Sequence, residues 1–99
     1  MQRGGFIYIM TNKNKTTLYV GVTSDLRNRI YQHKAHLHPN AFTAKYNLDC
    51  CVYYETLFGI EEAIVREKEI KKWRREKKQE LINRLNPQWL DLWNEISEW

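Results

Sequence analysis

Three short runs carry the β-branched and aromatic residues that favour strands: FIYIM at 6–10, LYVGV at 18–22 and CCVYYET at 50–56. A sheet of three such strands is too small to close on itself. It must therefore bury its faces under helices. That requirement points to an α/β fold of the α+β kind. The polar stretch 11–16 joins the first two runs, which predicts an antiparallel hairpin with a moderately long loop.

The helices are readable from their caps and periods. Ser24 or Asp25 offers an N-cap, with Leu26, Ile30 and His33 following at helical spacing. Residues 35–48, with Pro39 and no clear period, read as a loop. Residues 60–74 form a strong helix pattern and residues 77–85 a second, closed by Asn86-Pro87. Trp89, Leu92, Trp93 and Ile96 suggest a last amphipathic turn in the tail 88–99. The expected order is β-β-α-loop-β-α-α, in one domain spanning 1–99 and ending in that tail.

Composition excludes several classes. The chain has 99 residues and a net charge of +4, with 42% hydrophobic residues, enough apolar surface to fold. No apolar run approaches the ~20 residues of a membrane-spanning helix. The start, MQRGGFIYIM, lacks the apolar segment of a secretory leader. Cys50 and Cys51 are adjacent and cannot staple distant segments, which suits a reducing cytoplasm. Residues 1–84 hold all sixteen basic residues against nine acidic ones, a local +7, while residues 85–99 carry −3. A basic balance invites a polyanion, although solvated surface charge explains it equally well.

The informative feature is polar residues in apolar places. On the long helix, Ile60, Ala63, Ile64 and Ile70 mark an apolar stripe, and Glu67 falls inside it, with Arg66, Lys68, Lys71 and Lys72 directed elsewhere. A carboxylate against a core needs a cation, a metal or hydrogen bonds to compensate it. On the first helix, Leu26 and Ile30 mark the apolar side, and Arg29 and His33 project together from one face. In the strands, Ile7 and Ile9 share one face and Phe6, Tyr8 and Met10 the other. Leu18, Val20 and Val22 oppose Tyr19 and Gly21 in the same way. Packing of the aliphatic rows brings Tyr8 and Tyr19 out together, and Gly21 beside them leaves room for a backbone or a ligand. An ordinary Arg29–Glu67 salt bridge with tyrosine filler would explain the pattern. So would phosphodiester hydrolysis, in which Arg stabilises phosphate charge, Glu holds a divalent metal, and a phenol or imidazole takes the proton of water.

These residues resemble the GIY-YIG nuclease superfamily, and most closely its small single-domain members related to the nuclease module of the excision-repair subunit UvrC. The first signature reads Phe6-Ile7-Tyr8 after Gly4-Gly5, and the second Tyr19-Val20-Gly21. Arg29, His33 and Glu67 match later positions, and Asn86 matches a late Asn, with Asn83 as its rival. Phe6 replaces a signature Gly and Val20 an Ile. The resemblance covers about residues 5–93. It implies a three-stranded antiparallel sheet flanked by helices, and hydrolysis of DNA with a single Mg²⁺ or Mn²⁺. It also implies Tyr8 as general base close to Tyr19 and His33, Arg29 on the scissile phosphate and Glu67 on the metal. A tyrosine pKa of ~10 is too high for a base at neutral pH, so a nearby cation or metal-bound water, and a hydrogen bond to the phenolate, are expected to lower it.

DNA is the expected partner, with RNA left open, no membrane, and a monomer or weak homodimer as the assembly. The expected setting is structure-selective cutting in repair or recombination. Lys45 and Tyr46 are candidate substrate contacts, with Tyr46 either stacking on a splayed base or pinning its loop to the core. Lys71 and Lys72 belong to the basic stretch 68–78, which either tracks phosphates or is simply solvated. His36, His38, Cys50 and Cys51 do not have zinc-site spacing. Two alternatives stand: a nucleic-acid-binding module with little or no physiological cleavage, and an interaction protein that docks a partner through its Trp-rich tail.

Overall fold

The computed structural model describes residues 4–99. Residues 1–3, part of the segment inspected for a leader, lie outside the described residues. Strands β1 (Gly5–Thr11), β2 (Leu18–Thr23) and β3 (Cys50–Leu57) form one antiparallel sheet in the order β2-β1-β3. The β1–β2 hairpin is closed by its own loop. Asn12 Oδ1 accepts from the backbone of Thr16 (2.8 Å) and Thr17 (3.2 Å), and Lys15 takes the left-handed conformation, φ 60°.

The helices are α1 (Leu26–Lys34), α2 (Phe42–Lys45), α3 (Ile60–Lys71), α4 (Arg75–Leu85) and α5 (Trp93–Ile96). Asp25, rather than Ser24, caps α1 by accepting from Asn28 N at 3.2 Å. Both faces of the sheet are covered. Ile7, Ile9, Val20 and Val52 pack under Ala63 and Ile70 of α3 and Leu81 and Ile82 of α4. Tyr8, Met10 and Cys51 pack on the other face with Leu26 and Ile30 of α1, Leu48, and Ile96 of α5. The face alternation expected for β1 and β2 is therefore the one observed, with Leu18 and Val22 beside the first core and Phe6 and Tyr19 beside the second.

Three expectations need correction. Residues 35–48 are not all loop: they contain α2, a single helical turn that no side chain caps. Four residues show no period, which is why the sequence gives no sign of them. The long helix stops at Lys71, and α4 begins at Arg75, two residues before its expected start. Neither Gly nor Pro marks that break. Trp73 sits at the bend, half-buried against the first core, with Lys77 Nζ 4.2 Å and Arg66 Cζ 5.3 Å from its ring. The buried stripe of α3 is also narrower than expected. Ala63 and Ile70 are buried, but Ile60 and Ile64 keep more than a third of their surface exposed. The start of α3 sits directly on Gly5, where a Cβ would meet Gly59 O at 2.6 Å and Ile60 Cα at 2.7 Å. Backbone contact, not the Ile60 side chain, seats that end of the helix.

The tail is spent inside the fold. Leu92 N donates to Cys51 O at 2.7 Å, and Cys51 N donates to Asp91 Oδ1 at 3.2 Å, so the chain after α4 plugs the outer edge of β3. Ile96 is fully buried, and Trp99 meets the rings of Tyr54 (5.4 Å) and Phe6 (5.9 Å). This removes the premise of a free docking tail.

Asn86 completes the same seam. A register shift between Ile9 and Met10 places Tyr53 and Cys51 opposite them and leaves Val52 without a partner on β1. Asn86 Nδ2 donates to that Val52 carbonyl (2.9 Å) and to Leu90 O (2.9 Å), while its Oδ1 accepts from Leu90 N at 3.0 Å. Asn86→Ala therefore strands buried backbone groups, and a loss on the order of 2 kcal/mol in urea unfolding is expected. Unchanged stability in that variant would contradict this role.

Candidate active site

The site begins with a missing side chain. Tyr8 lies opposite Gly21 in the β1–β2 register, and a Cβ at Gly21 would collide with Cζ and Oη of the Tyr8 ring. Gly21 is needed for this close approach and not for its backbone angles, since no glycine has positive φ among the described residues. The room beside Gly21, expected for a backbone or ligand, is filled by the phenol itself.

Seated there, Tyr8 Oη meets His33 Nε2 at 2.9 Å, and His33 Nδ1 meets Thr43 Oγ1 at 2.9 Å. The result is a chain of phenol, imidazole and alcohol running from β1 through α1 to α2. A phenol is a stronger acid than an alcohol, so Tyr8 is the better donor and Thr43 the better acceptor. That favours the Nδ1–H tautomer of His33, with Nε2 accepting. Tyr19 closes the group, its ring 6.3 Å from Tyr8 and 6.0 Å from His33.

The charges around this chain set its proton affinities. Burial, foremost, pushes the Tyr8 phenol well above its ordinary value, and Tyr19 adds to the rise while Arg29 opposes it. Without metal or substrate, burial thus outweighs the lowering by Arg29. Burial likewise pushes His33 down to about 4, with further repulsion from Arg29 and His38, so the ring is neutral at pH 7. Arg29 lines a cavity of about 250 Å³ with Tyr19, His33 and Phe42, and forms no salt bridge among the described residues. Arg27, by contrast, is exposed and donates to Ser97 O.

Glu67 is mostly buried, with 12% of its side chain exposed, and its partner is Lys71 at 2.8 Å. The expected Arg29–Glu67 bridge is not formed, and Lys71 does not point away. Its Nζ stands 5.8 Å over the Tyr19 ring, which brings this end of α3 to edge strand β2. Glu67 acts on the Tyr8 proton from there, raising the phenol further. No cluster of three metal-ligating side chains exists among the described residues. A lone carboxylate does fit a hydrated Mg²⁺ or Mn²⁺, an ion that keeps its waters and shares substrate phosphates. Glu67 is the residue that would hold it, once Lys71 turns away.

The structure thus brings Tyr8, Tyr19, Arg29, His33 and Glu67 together, with Lys71 beside them. Asn86 is not among them, and Asn83 accepts from Trp89 Nε1 at 2.6 Å; both hold the tail. Lys72 is exposed and faces a shallow hollow with Val65, Lys68 and Trp73. Lys45 is exposed at the end of α2. Tyr46 does not pin its loop to the core: it is exposed and packs on Phe42 at 4.7 Å, while buried Leu48 anchors the segment. Thr43 and Phe42 went unread in the sequence because they lie on the unpredicted α2.

Residues 4–80 match the GIY-YIG catalytic domain. The chain belongs to the GIY-YIG family. This is a family of phosphodiester-hydrolysing nucleases, which act on nucleic acid and generally use a divalent metal. The solution structure of the UPF0213 protein BH0048 from Bacillus halodurans is similar to this GIY-YIG chain at 25% identity and a TM-score of 0.56. The match covers 89% of this chain and 92% of that one. No curated protein matches the chain. Among the described residues, no helix is long and apolar enough to cross a membrane.

The depressed His33 has a consequence for stability. Its folded value of about 4 lies below the ordinary 6.5, so the unfolded chain binds a proton that the folded chain refuses. The stabilising contribution is present above pH 6.5 and is lost as pH falls toward 4. His33→Gln should show a smaller fall in urea midpoint than the parent between pH 7 and pH 4. An equal fall in both proteins would contradict the burial of a neutral imidazole.

Proposed function

We propose that this GIY-YIG chain is a metal-dependent endonuclease that hydrolyses DNA phosphodiester bonds in a reducing cytoplasm. The observation that carries the reading is the Tyr8–His33–Thr43 hydrogen-bond chain ending beside Arg29, which has no salt-bridge partner among the described residues. Tyr8, Tyr19, Arg29, His33 and Glu67 form its machinery, and structure-selective cutting in repair or recombination is the proposed setting.

Arg29 binds the scissile phosphate through its guanidinium fork. Pairing with the phosphate relieves the repulsion that Arg29 exerts on His33, so substrate raises the proton affinity of Nε2. Tyr8 Oη then takes a proton from the attacking water as its own proton passes to His33 Nε2. The phenol is never required to exist as a free phenolate, which reconciles its raised pKa with a role as base. Thr43 accepts from Nδ1–H and holds the ring while it becomes imidazolium. Glu67 would hold the divalent cation, which supplies charge stabilisation to the phosphoryl and leaving oxygens when bound. Lys71, once released from Glu67, becomes free to pair with a phosphate.

Glu67→Gln keeps the shape of the side chain and removes its charge. It should abolish Mg²⁺- or Mn²⁺-dependent cleavage of branched, flapped or single-stranded DNA while leaving the circular dichroism spectrum unchanged. Full activity in the purified variant would remove the assignment. The Glu67–Lys71 ion pair favours a second reading, a nucleic-acid-binding module whose carboxylate is committed to lysine. Salt-sensitive binding by the parent, with no Glu67-dependent product on any of these DNAs, would support it.

A further inference from the structure

The cavity beside His33 contains groups that the hydrolytic chain leaves unused. Arg29 and His33 form its inner side, Tyr19 and Phe42 its aromatic side, and Gln32 and His38 contribute further polar atoms. No carboxylate lines it. Tyr19 and Phe42 are stacked, with centroids 6.2 Å apart and ring planes 26° from parallel, and Tyr46 extends the row from Phe42. Phe42 and Tyr46 are about half exposed, although aromatic rings of their size are normally more deeply covered in a small domain.

We propose that this cavity takes one unpaired nucleobase, from the nucleotide next to the phosphate held by Arg29. The proposal deepens the nuclease reading and rests on it for the position of that phosphate. Size, chemistry and place all favour this occupant. At about 250 Å³ the cavity is far larger than a water site. It is smaller than the ~300–1,000 Å³ that drug-sized ligands occupy, so a single ring system suits it. A phosphate would need donors only. Gln32 offers an amide carbonyl as well as an NH₂, a mixed pattern that matches the edge of a base and not a phosphate. The aromatic row offers a face to any base. The missing carboxylates allow a polyanion to approach, and the shared Arg29, Tyr19 and His33 make the cavity continuous with the catalytic group.

A paired base has both faces covered by its neighbours and its edge bonded to its partner. Only a base outside the stack can enter. The inferred substrate class is therefore nucleic acid with an unpaired nucleotide at the cleavage position, as in single strands, flaps or bulges, in preference to continuous duplex.

The test uses metal-free Glu67→Gln protein, so that no cleavage is needed to read it. Short single-stranded DNAs carry one 2-aminopurine, whose fluorescence is quenched by stacking, walked along the strand. At one or two positions the protein should change 2-aminopurine fluorescence strongly, and adding Phe42→Leu should remove that change and weaken binding roughly tenfold. Gln32→Ala should weaken binding with the fluorescence change kept at saturation. The matching duplex should bind more weakly than the single strand. Phe42 is half exposed, and the melting temperature of each variant confirms that it remains folded. A signal unaffected by Phe42→Leu, or equal affinity for duplex and single strand, would overturn the base pocket while leaving the nuclease reading intact. Loss of cleavage dependence on Glu67 in the parallel assay, with the Phe42-dependent signal retained, would overturn the nuclease reading and leave the pocket standing.

Discussion

Tyr8 is a fully buried phenol resting over Gly21, and almost everything that distinguishes this small domain follows from placing it there. A hydroxyl in a core must be hydrogen-bonded or it costs stability. His33 answers that need, and Thr43 in turn answers the second nitrogen of His33. The chain crosses three elements and fixes α1 and α2 against the sheet. Burial also sets the protonation states: it holds the phenol protonated and the imidazole neutral, so the resting pair is one donor and one vacant acceptor. A proton can then be passed along the pair without either residue first acquiring charge in the free protein.

The rest of the fold protects this arrangement. One face of the sheet carries the core under α3 and α4, with Glu67 and Lys71 of α3 reaching the site at edge strand β2, and the other combines core with chemistry under α1 and α5. β3 would be an open edge, but the tail from Asn86 to Trp99 closes it through backbone and side-chain bonds, including one to the orphaned Val52 carbonyl. Two of the tail's three acidic residues are used on the protein itself: Asp91 meets Lys34 and Cys51, and Glu95 accepts from Tyr54. The basic residues of α3 and α4 remain mostly at the surface, where they can gather a polyanion without defining a site.

Much of the site was legible because a polar residue in an apolar period is a costly anomaly. Period 2 put Tyr8 and Tyr19 on one face, and period 3.6 put Glu67 inside its stripe and Arg29 and His33 on one side. The partners were harder to read. Glu67 bonds Lys71 one turn along its own helix, a pairing that the stripe drawn through Ile60 and Ile64 obscured. Asn86 fits a family position, yet its structural work depends on a strand irregularity with no sequence marker. Thr43 and Phe42 lie on one uncapped helical turn between His36 and Asn47, both in left-handed conformations that short-range patterns do not announce. Local sequence thus named the residues that break a period, while tertiary contacts chose what they touch.

The central claim is the direction of hydrogen bonding along Tyr8, His33 and Thr43. Nitrogen-15 chemical shifts of the His33 ring at neutral pH test it directly. The account predicts a protonated Nδ1 and a bare, accepting Nε2, with the signals unchanged down to about pH 5. A ring protonated at Nε2, or an imidazolium at neutral pH, would contradict it.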